Sequence, residues 1–206
     1  MYIVPLVSSF PLFPFTSVLH ELYNLAMQTQ LPQSRLYRLI FSDTRFAWLW
    51  LIVRLYLGWE WFSAGLEKLQ SSAWVGSSGG SAVQGFISRA LQKTAGAHPD
   101  VQSWYASYLR DFVLPNAGVF SHIVAYGELL VGIGLIIGAF TGIAAFFGVF
   151  MNASYLFAGT VSTNPILLFL GIFLIMSWRI AGWYGVDRYL LYVLGFPRRI
   201  KTVSQT

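Results

Sequence analysis

Residues 119–140 read VFSHIVAYGELLVGIGLIIGAF, an apolar run in which Glu128 is the single formal charge. A helix rises about 1.5 Å per residue and a bilayer core is about 30 Å thick, so about 20 such residues span it. Three further segments have similar character. Residues 46–66 (FAWLWLIVRLYLGWEWFSAGL) carry Arg54 and Glu60, and Gly142 to about Thr160 has Asn152 near its middle. The fourth starts at Asn164-Pro165, an N-cap followed by Pro at the first helical position, and runs to about Gly185. Composition agrees: 56% of the 206 residues are hydrophobic, 10% are charged, and mean hydropathy is +0.60. Soluble domains carry about 25% charged residues, so too few charges remain here to cover a water-facing surface. The expected fold class is all-α, an integral membrane four-helix bundle with a long outer loop carrying short amphipathic helices.

The connections between spans two and three, and three and four, are hairpin turns. The first connection, about 67–118, is polar and contains GSSGGS at residues 76–81. Two amphipathic stretches follow, Ala82 to Thr94 and Val101 to Leu114. In the second, Trp104, Tyr105, Tyr108, Leu109 and Phe112 repeat at helical spacing, and Pro115 is expected to close it. Such helices lie on the outer face of the bundle, dock a partner or cap a site. The resulting organisation is an N-terminal leader and cytoplasmic segment (1–45), a membrane domain (46–190) and a basic cytoplasmic tail (191–206). Residues 1–19 are apolar, but Pro5, Pro11 and Pro14 break a helix. They also lack a basic n-region and a cleavage site. They read as an interfacial or disordered leader, a further span being the alternative, and Met27 is an alternative start.

Net charge is +5 and the pI about 9.6, yet no basic stripe suited to nucleic acid is present. Arg35, Arg38 and Arg45 precede the first span, while Arg179, Arg188, Arg198, Arg199 and Lys201 lie at or after the last. That distribution places a multi-pass chain in the cell membrane with both termini cytoplasmic. The long loop is then outside, with Lys68, Arg89, Lys93 and Arg110 against Glu67, Asp100 and Asp111. There is no cysteine, which removes disulfides, thiol catalysis and thiolate-held clusters. His20, His98 and His122 are far apart, against a haem held by two of them. No metal site and no covalently bound cofactor is expected.

Ionisable residues inside a span cost about 2.5–3.5 kcal/mol on insertion scales unless paired or wetted. Arg179 is near the inner surface and snorkels. Arg54 cannot shed its charge, whereas a buried carboxyl can become neutral. Glu128 or Glu60 is its available counter-ion. Arg54, Gly58, Trp61, Gly65 and Lys68 share one helical stripe, which suits a flat apolar head group or a small anion; alternatively, it packs on the second span. Glu128 and Arg54 are the expected catalytic pair, with Trp61, Lys68, Glu60, Gly58, Gly65 and Asn152 as the substrate-binding set. Gly134, Gly138 and Gly142 read as helix packing. Gly148, Asn152, Tyr155 and Gly159 share a face of the third span.

Arg54-x3-Gly58-x6-Gly65-x2-Lys68, Gly127-Glu128-Leu129 and Gly132-x-Gly134-Leu135-x2-Gly138 together resemble the DoxX/DoxD family of small four-span membrane proteins. Asn152, Asn164-Pro165 and Ala181-Gly182…Gly185-x-Asp187-Arg188 fit the same pattern, so the likeness covers about residues 45–190. The long outer loop resembles the DoxD branch. That resemblance implies the membrane subunit of a thiosulfate:quinone oxidoreductase, with quinone as substrate and a second subunit or soluble partner at the outer loop. A scaffold that recruits a partner through that loop without catalysis is the alternative from a different class.

Overall fold

In the computed structural model, which describes residues 34–193, every regular element is helical. The leader, the alternative start and the tail from residue 194 lie outside the described residues. Helix α1 is Arg35–Ser42. A 3-10 turn over Thr44–Phe46 follows, capped by Asp43, whose carboxylate accepts from the Arg45 backbone N–H at 2.9 Å. The Arg45 guanidinium beside Asp43 holds that carboxyl below its usual range. Then come α2 (Ala47–Gln70), α3 (Ser81–Gln92), α4 (Ser103–Tyr108), α5 (Ala117–Ile137), α6 (Thr141–Phe157), α7 (Asn164–Met176), α8 (Trp178–Ala181) and α9 (Asp187–Val193). The four long helices form a ring: α2 packs on α5, α5 on α6, α6 on α7, and α7 back on α2.

The α2–α5 seam is the tightest, and glycine sets it. A Cβ on Gly65 would overlap the Leu129 backbone, and one on Gly132 the Phe62 backbone; one on Gly58 would stand 3.0 Å from the Ile136 N. Small residues at such a seam let dispersion contacts accumulate where no hydrophobic force drives helices together. These contacts also fix an antiparallel register. Gly58 faces Leu135–Ile136, Phe62 faces Gly132 and Gly65 faces Glu128–Leu129, so each step along α2 is matched by a step back along α5. Arg54 therefore falls opposite Gly138, and Lys68 lies at the level of Glu128. The ring's core is Trp50, Leu57, Trp61, Val131, Leu135, Ala145, Leu167 and Leu174.

Two expectations are corrected. Pro115 does not end the second amphipathic stretch: Ser103–Ile137 is one continuous helical run. A π turn at Leu109–Val113 and a 3-10 turn at Leu114–Asn116 absorb the proline. The Asn116 side chain donates to the Phe112 carbonyl at 2.8 Å, supplying a partner within the disturbed ladder. The fourth segment, expected unbroken to Gly185, stops at Met176. Ser177 turns its hydroxyl back onto the Leu174 carbonyl (3.1 Å), and the short α8 and a turn over Gly182–Val186 follow. Such back-bonding from serine competes with the helical ladder.

The 103–137 run is the one described helix long and apolar enough to cross a membrane; α6 and α7 are shorter apolar helices. In α2, Arg54, Glu60, Glu67 and Lys68 dilute the hydropathy. The outward faces are largely apolar, with Glu67, Gln70 and His122 the exposed polar residues toward the cap end. Ile52, Leu55 and Trp59 on α2, Val119, Ile123 and Leu130 on α5, Phe146 and Phe150 on α6, and Ile166 and Phe169 on α7 are exposed. An apolar exterior of this extent exceeds the patches a water-facing monomer shows.

Residues 71–116 form a cap with its own core of Val83, Ile87, Ala90, Val101, Tyr105, Leu109 and Val113. The aromatic face expected on its second helix is split. Tyr105 and Leu109 turn inward, while Trp104, Tyr108 and Phe112 form an exposed ridge. Three polar ties hold the cap down: Ser121 Oγ to the Trp74 carbonyl (2.6 Å), Tyr105 Oη to the Ser154 carbonyl (2.8 Å) and Lys93 Nζ to the Gly159 carbonyl (2.5 Å).

Candidate functional site

The register of α2 on α5 brings three polar side chains together at the cap end of the bundle. Lys68, in the last turn of α2, pairs through Nζ with Glu128 Oε2 on α5 at 2.6 Å. Tyr155, two turns after Gly148 on the inward face of α6, donates its hydroxyl to Glu128 Oε1 at 2.6 Å. The Glu128 side chain is 2% exposed and that of Lys68 is 20% exposed, its ammonium standing 5.1 Å over the Trp74 ring. A carboxylate removed from water this far is stable only with its oxygens engaged; here a cation holds one and a phenol the other. The result is a hydrogen-bonded chain in which a partly exposed ammonium and a buried phenol both donate to one carboxylate.

That phenol belongs to the wall of a cavity. A space of about 370 Å³ lies between the cap and helices α5 and α6, within the size range of small-molecule sites. Val83, Ile87, Tyr105, Leu109 and Val113 roof it; Phe120, Val124, Gly127 and Val131 form one side, and Met151, Ser154 and Tyr155 the other. The lining is almost wholly apolar. Tyr155 is the residue through which the Lys68–Glu128 pair reaches it, so the carboxylate stands one hydrogen bond behind the wall.

Arg54 lies elsewhere. Its guanidinium, 1% exposed, occupies the notch left by Gly138 and Gly185, and Nη2 donates to the Tyr184 carbonyl at 3.2 Å. Gly138, in the left-handed region at φ 68°, closes α5, and a side chain there would collide with this guanidinium. The charge acting on Arg54 is Asp187. Asp187 in turn accepts from the backbone N–H of Phe140 (2.6 Å) and Thr141 (2.8 Å), capping α6 where no residue of its own sequence does. Each such charge-assisted bond contributes about 1.5–3 kcal/mol. This cluster staples the α5–α6 turn to the Gly182–Asp187 turn. Ten residues of α5 separate Glu128 from Gly138, about 15 Å of helix rise, so the expected Arg54–Glu128 pair does not form. The glycine register, invisible until both helices are docked, is the reason.

The other expected site residues are dispersed in role. Gly58 and Gly65 are filled by α5, which removes the groove expected along them. Trp61 is buried, with its indole nitrogen 3.0 Å from where a Cβ on Gly148 would stand. Glu60 is half-buried, and its carboxylate makes no ion pair among the described residues. Asn152 is buried one turn before Tyr155, and neither end of its amide has a hydrogen-bond partner among the described residues. Among the described residues no group of histidine and carboxylate side chains is placed to hold a metal ion. Tyr155 and Asp187 are the residues that spacing alone did not single out. Tyr155 shared a face with Asn152, a signal outweighed by the glycines around it.

No curated protein and no solved structure matches the chain. Residues 49–160 match the family model for DoxX, a stretch that takes in α2 from its third residue, the cap, α5, α6 and the whole Lys68–Glu128–Tyr155 cluster. With more than half its length matched, the chain belongs to the DoxX family of membrane proteins.

Proposed function

We propose that this chain is the membrane subunit of a quinone-linked oxidoreductase, and that quinone is received in the cavity beneath the cap. In this reading α2, α5, α6 and the α7–α8 pair are four spans, both termini are cytoplasmic and the cap is outside. The observation that carries the proposal is Tyr155, which lines an apolar cavity while hydrogen-bonded to a buried Glu128–Lys68 pair. Reducing a quinone adds two electrons and two protons, one proton to each ring oxygen. An apolar slot holds the ring. In this relay Lys68 protonates Glu128, the acid donates to the Tyr155 oxygen instead of accepting from it, and the freed phenol hydrogen passes to one ring oxygen. Lys68 recovers a proton from water at the edge of the cap, and after the ring turns over in the slot a second cycle protonates the other oxygen. The electrons come from the reductant; thiosulfate is the one the DoxD-like resemblance implies. Arg54 and Asp187 hold the opposite end of the bundle and take no part in the chemistry.

The exposed ridge of Trp104, Tyr108 and Phe112 favours a second reading, a scaffold that recruits a partner through the cap. Purification in a mild detergent, followed by mass spectrometry and solvent extraction, separates the two. The proposed function expects about one quinone per chain, lost on Tyr155→Phe. A chain that retains a protein partner but never carries quinone, at any detergent concentration that keeps it folded, is a scaffold.

A further inference from the structure

We infer that the cavity is filled sideways from the bilayer, through the seam between α5 and α6, and that its occupant is an amphiphile whose aliphatic tail remains in that seam. This deepens the proposed function and rests on the membrane embedding stated there. It does not depend on the head group's being a quinone.

The lining residues fall into two classes. Most of those contributed by the cap are buried, with Ile87 at 1% and Leu109 at 3% exposure; Trp74 and Phe86 are half-buried, and Tyr108 alone among them is exposed. Ile123 and Leu130 on α5, and Phe147 and Phe150 on α6, also line the cavity, yet each is more than half exposed. They belong at once to the cavity wall and to the apolar exterior, so on this side one layer of side chains separates the two. No charged residue borders that opening. On the other side the cavity is bounded by the cap core and by its ties at Tyr105 and Lys93, with Tyr108 the exposed lining residue there.

Packing along the seam points the same way. Between α2 and α5 an added Cβ meets backbone, but on Gly127 it would meet only Met151 Sδ, at 3.7 Å. That is ordinary van der Waals contact with a flexible side chain. Nearer the turn the same two helices close, a Cβ on Gly134 standing 3.2 Å from that of Ala144. The seam thus opens toward the cap and is tight at its other end. A water-soluble ring would have to cross hydrocarbon to reach it, whereas a tailed one is already dissolved there.

Gly127 supplies the test, because a large side chain there plugs the cavity without touching the α2–α5 seam. The intact chain is reconstituted in phosphatidylcholine liposomes with an aryl diazirine carrying a ten-carbon tail, irradiated, and its adducts mapped by mass spectrometry. The same diazirine bearing a sulfonate in place of the tail is presented from water. The tailed probe is expected to modify the segments bearing Val124 and Met151–Tyr155. Gly127→Leu and, separately, Met151→Phe are expected to cut that yield at least five-fold, while adducts at the outward Phe169 on α7 stay constant and report an intact bundle. Equal labelling of the cavity by the sulfonated probe would overturn lateral entry, as would cavity adducts that both plugs leave unchanged. The diazirine is not a quinone, so these outcomes are independent of whether quinone co-purifies.

Discussion

Glu128→Gln is expected to lower thiosulfate-driven quinone reduction by at least about 100-fold, the scale of a lost general acid–base relay, with the bundle still assembled. The amide keeps the shape and can still accept from Tyr155, so the α5–α6 contact survives. It cannot accept a proton from Lys68 and hand it on. Lys68 loses its counter-ion, but at the edge of the cap, with its side chain 20% exposed, it can be hydrated. Steady-state quinol formation measures the first effect, and size-exclusion chromatography the second. Arg54→Met should give the opposite pattern, poor assembly with the surviving fraction active, because Arg54 joins the two turns at the far end of the bundle rather than the relay. Equal activity losses in the two variants, with assembly intact in both, would return Arg54 to the chemistry.

The largest structural effect is expected from Gly132→Leu. Any Cβ there meets the Phe62 backbone, and a helix backbone cannot swing aside as a side chain does. Overfilling a packed interior costs about 1–3 kcal/mol when side chains can adjust. Here the whole α2–α5 register must give, and with it the alignment of Lys68 with Glu128. The expected outcome is loss of monodisperse protein in detergent. Gly134→Ala, whose Cβ would stand 3.2 Å from that of Ala144, should melt within a few degrees of the parent. A Gly132→Leu chain that purifies and melts like the parent would mean that the tight seam is not what sets the register.

The helices were legible because each carries a long apolar run bounded by local signals. Asn164-Pro165 opens α7 where expected, and the Ala158–Gly159 turn closes α6 close to it. Pro115 misled because a proline's effect depends on the hydrogen bonds around it, and a π turn upstream leaves room for the ring. The site was legible in its parts rather than in its pairing. Glu128 and Lys68 stood out as charges at membrane depth or on the glycine stripe, and they meet. Arg54 stood out for the same reason, yet its partners come from the turns at Gly138 and Tyr184–Asp187, distant in sequence. A helical wheel gives the face of a residue but not its level against a neighbouring helix. That level is set by Gly58, Gly65 and Gly132, whose role shows only in the packed bundle.

The most direct measurement on the relay is the infrared spectrum of bound quinone labelled with carbon-13 at each ring carbonyl in turn. With Glu128 protonated and donating to Tyr155 Oη, the phenol hydrogen turns to the head group, so one carbonyl is hydrogen-bonded and, the rest of the cavity being apolar, the other is free. Two separate stretching frequencies are therefore expected, merging into one when Tyr155 is replaced by Phe. Two carbonyls that absorb alike in the parent chain, or a difference that Tyr155→Phe leaves unchanged, would contradict the placement of quinone at the Lys68–Glu128–Tyr155 cluster.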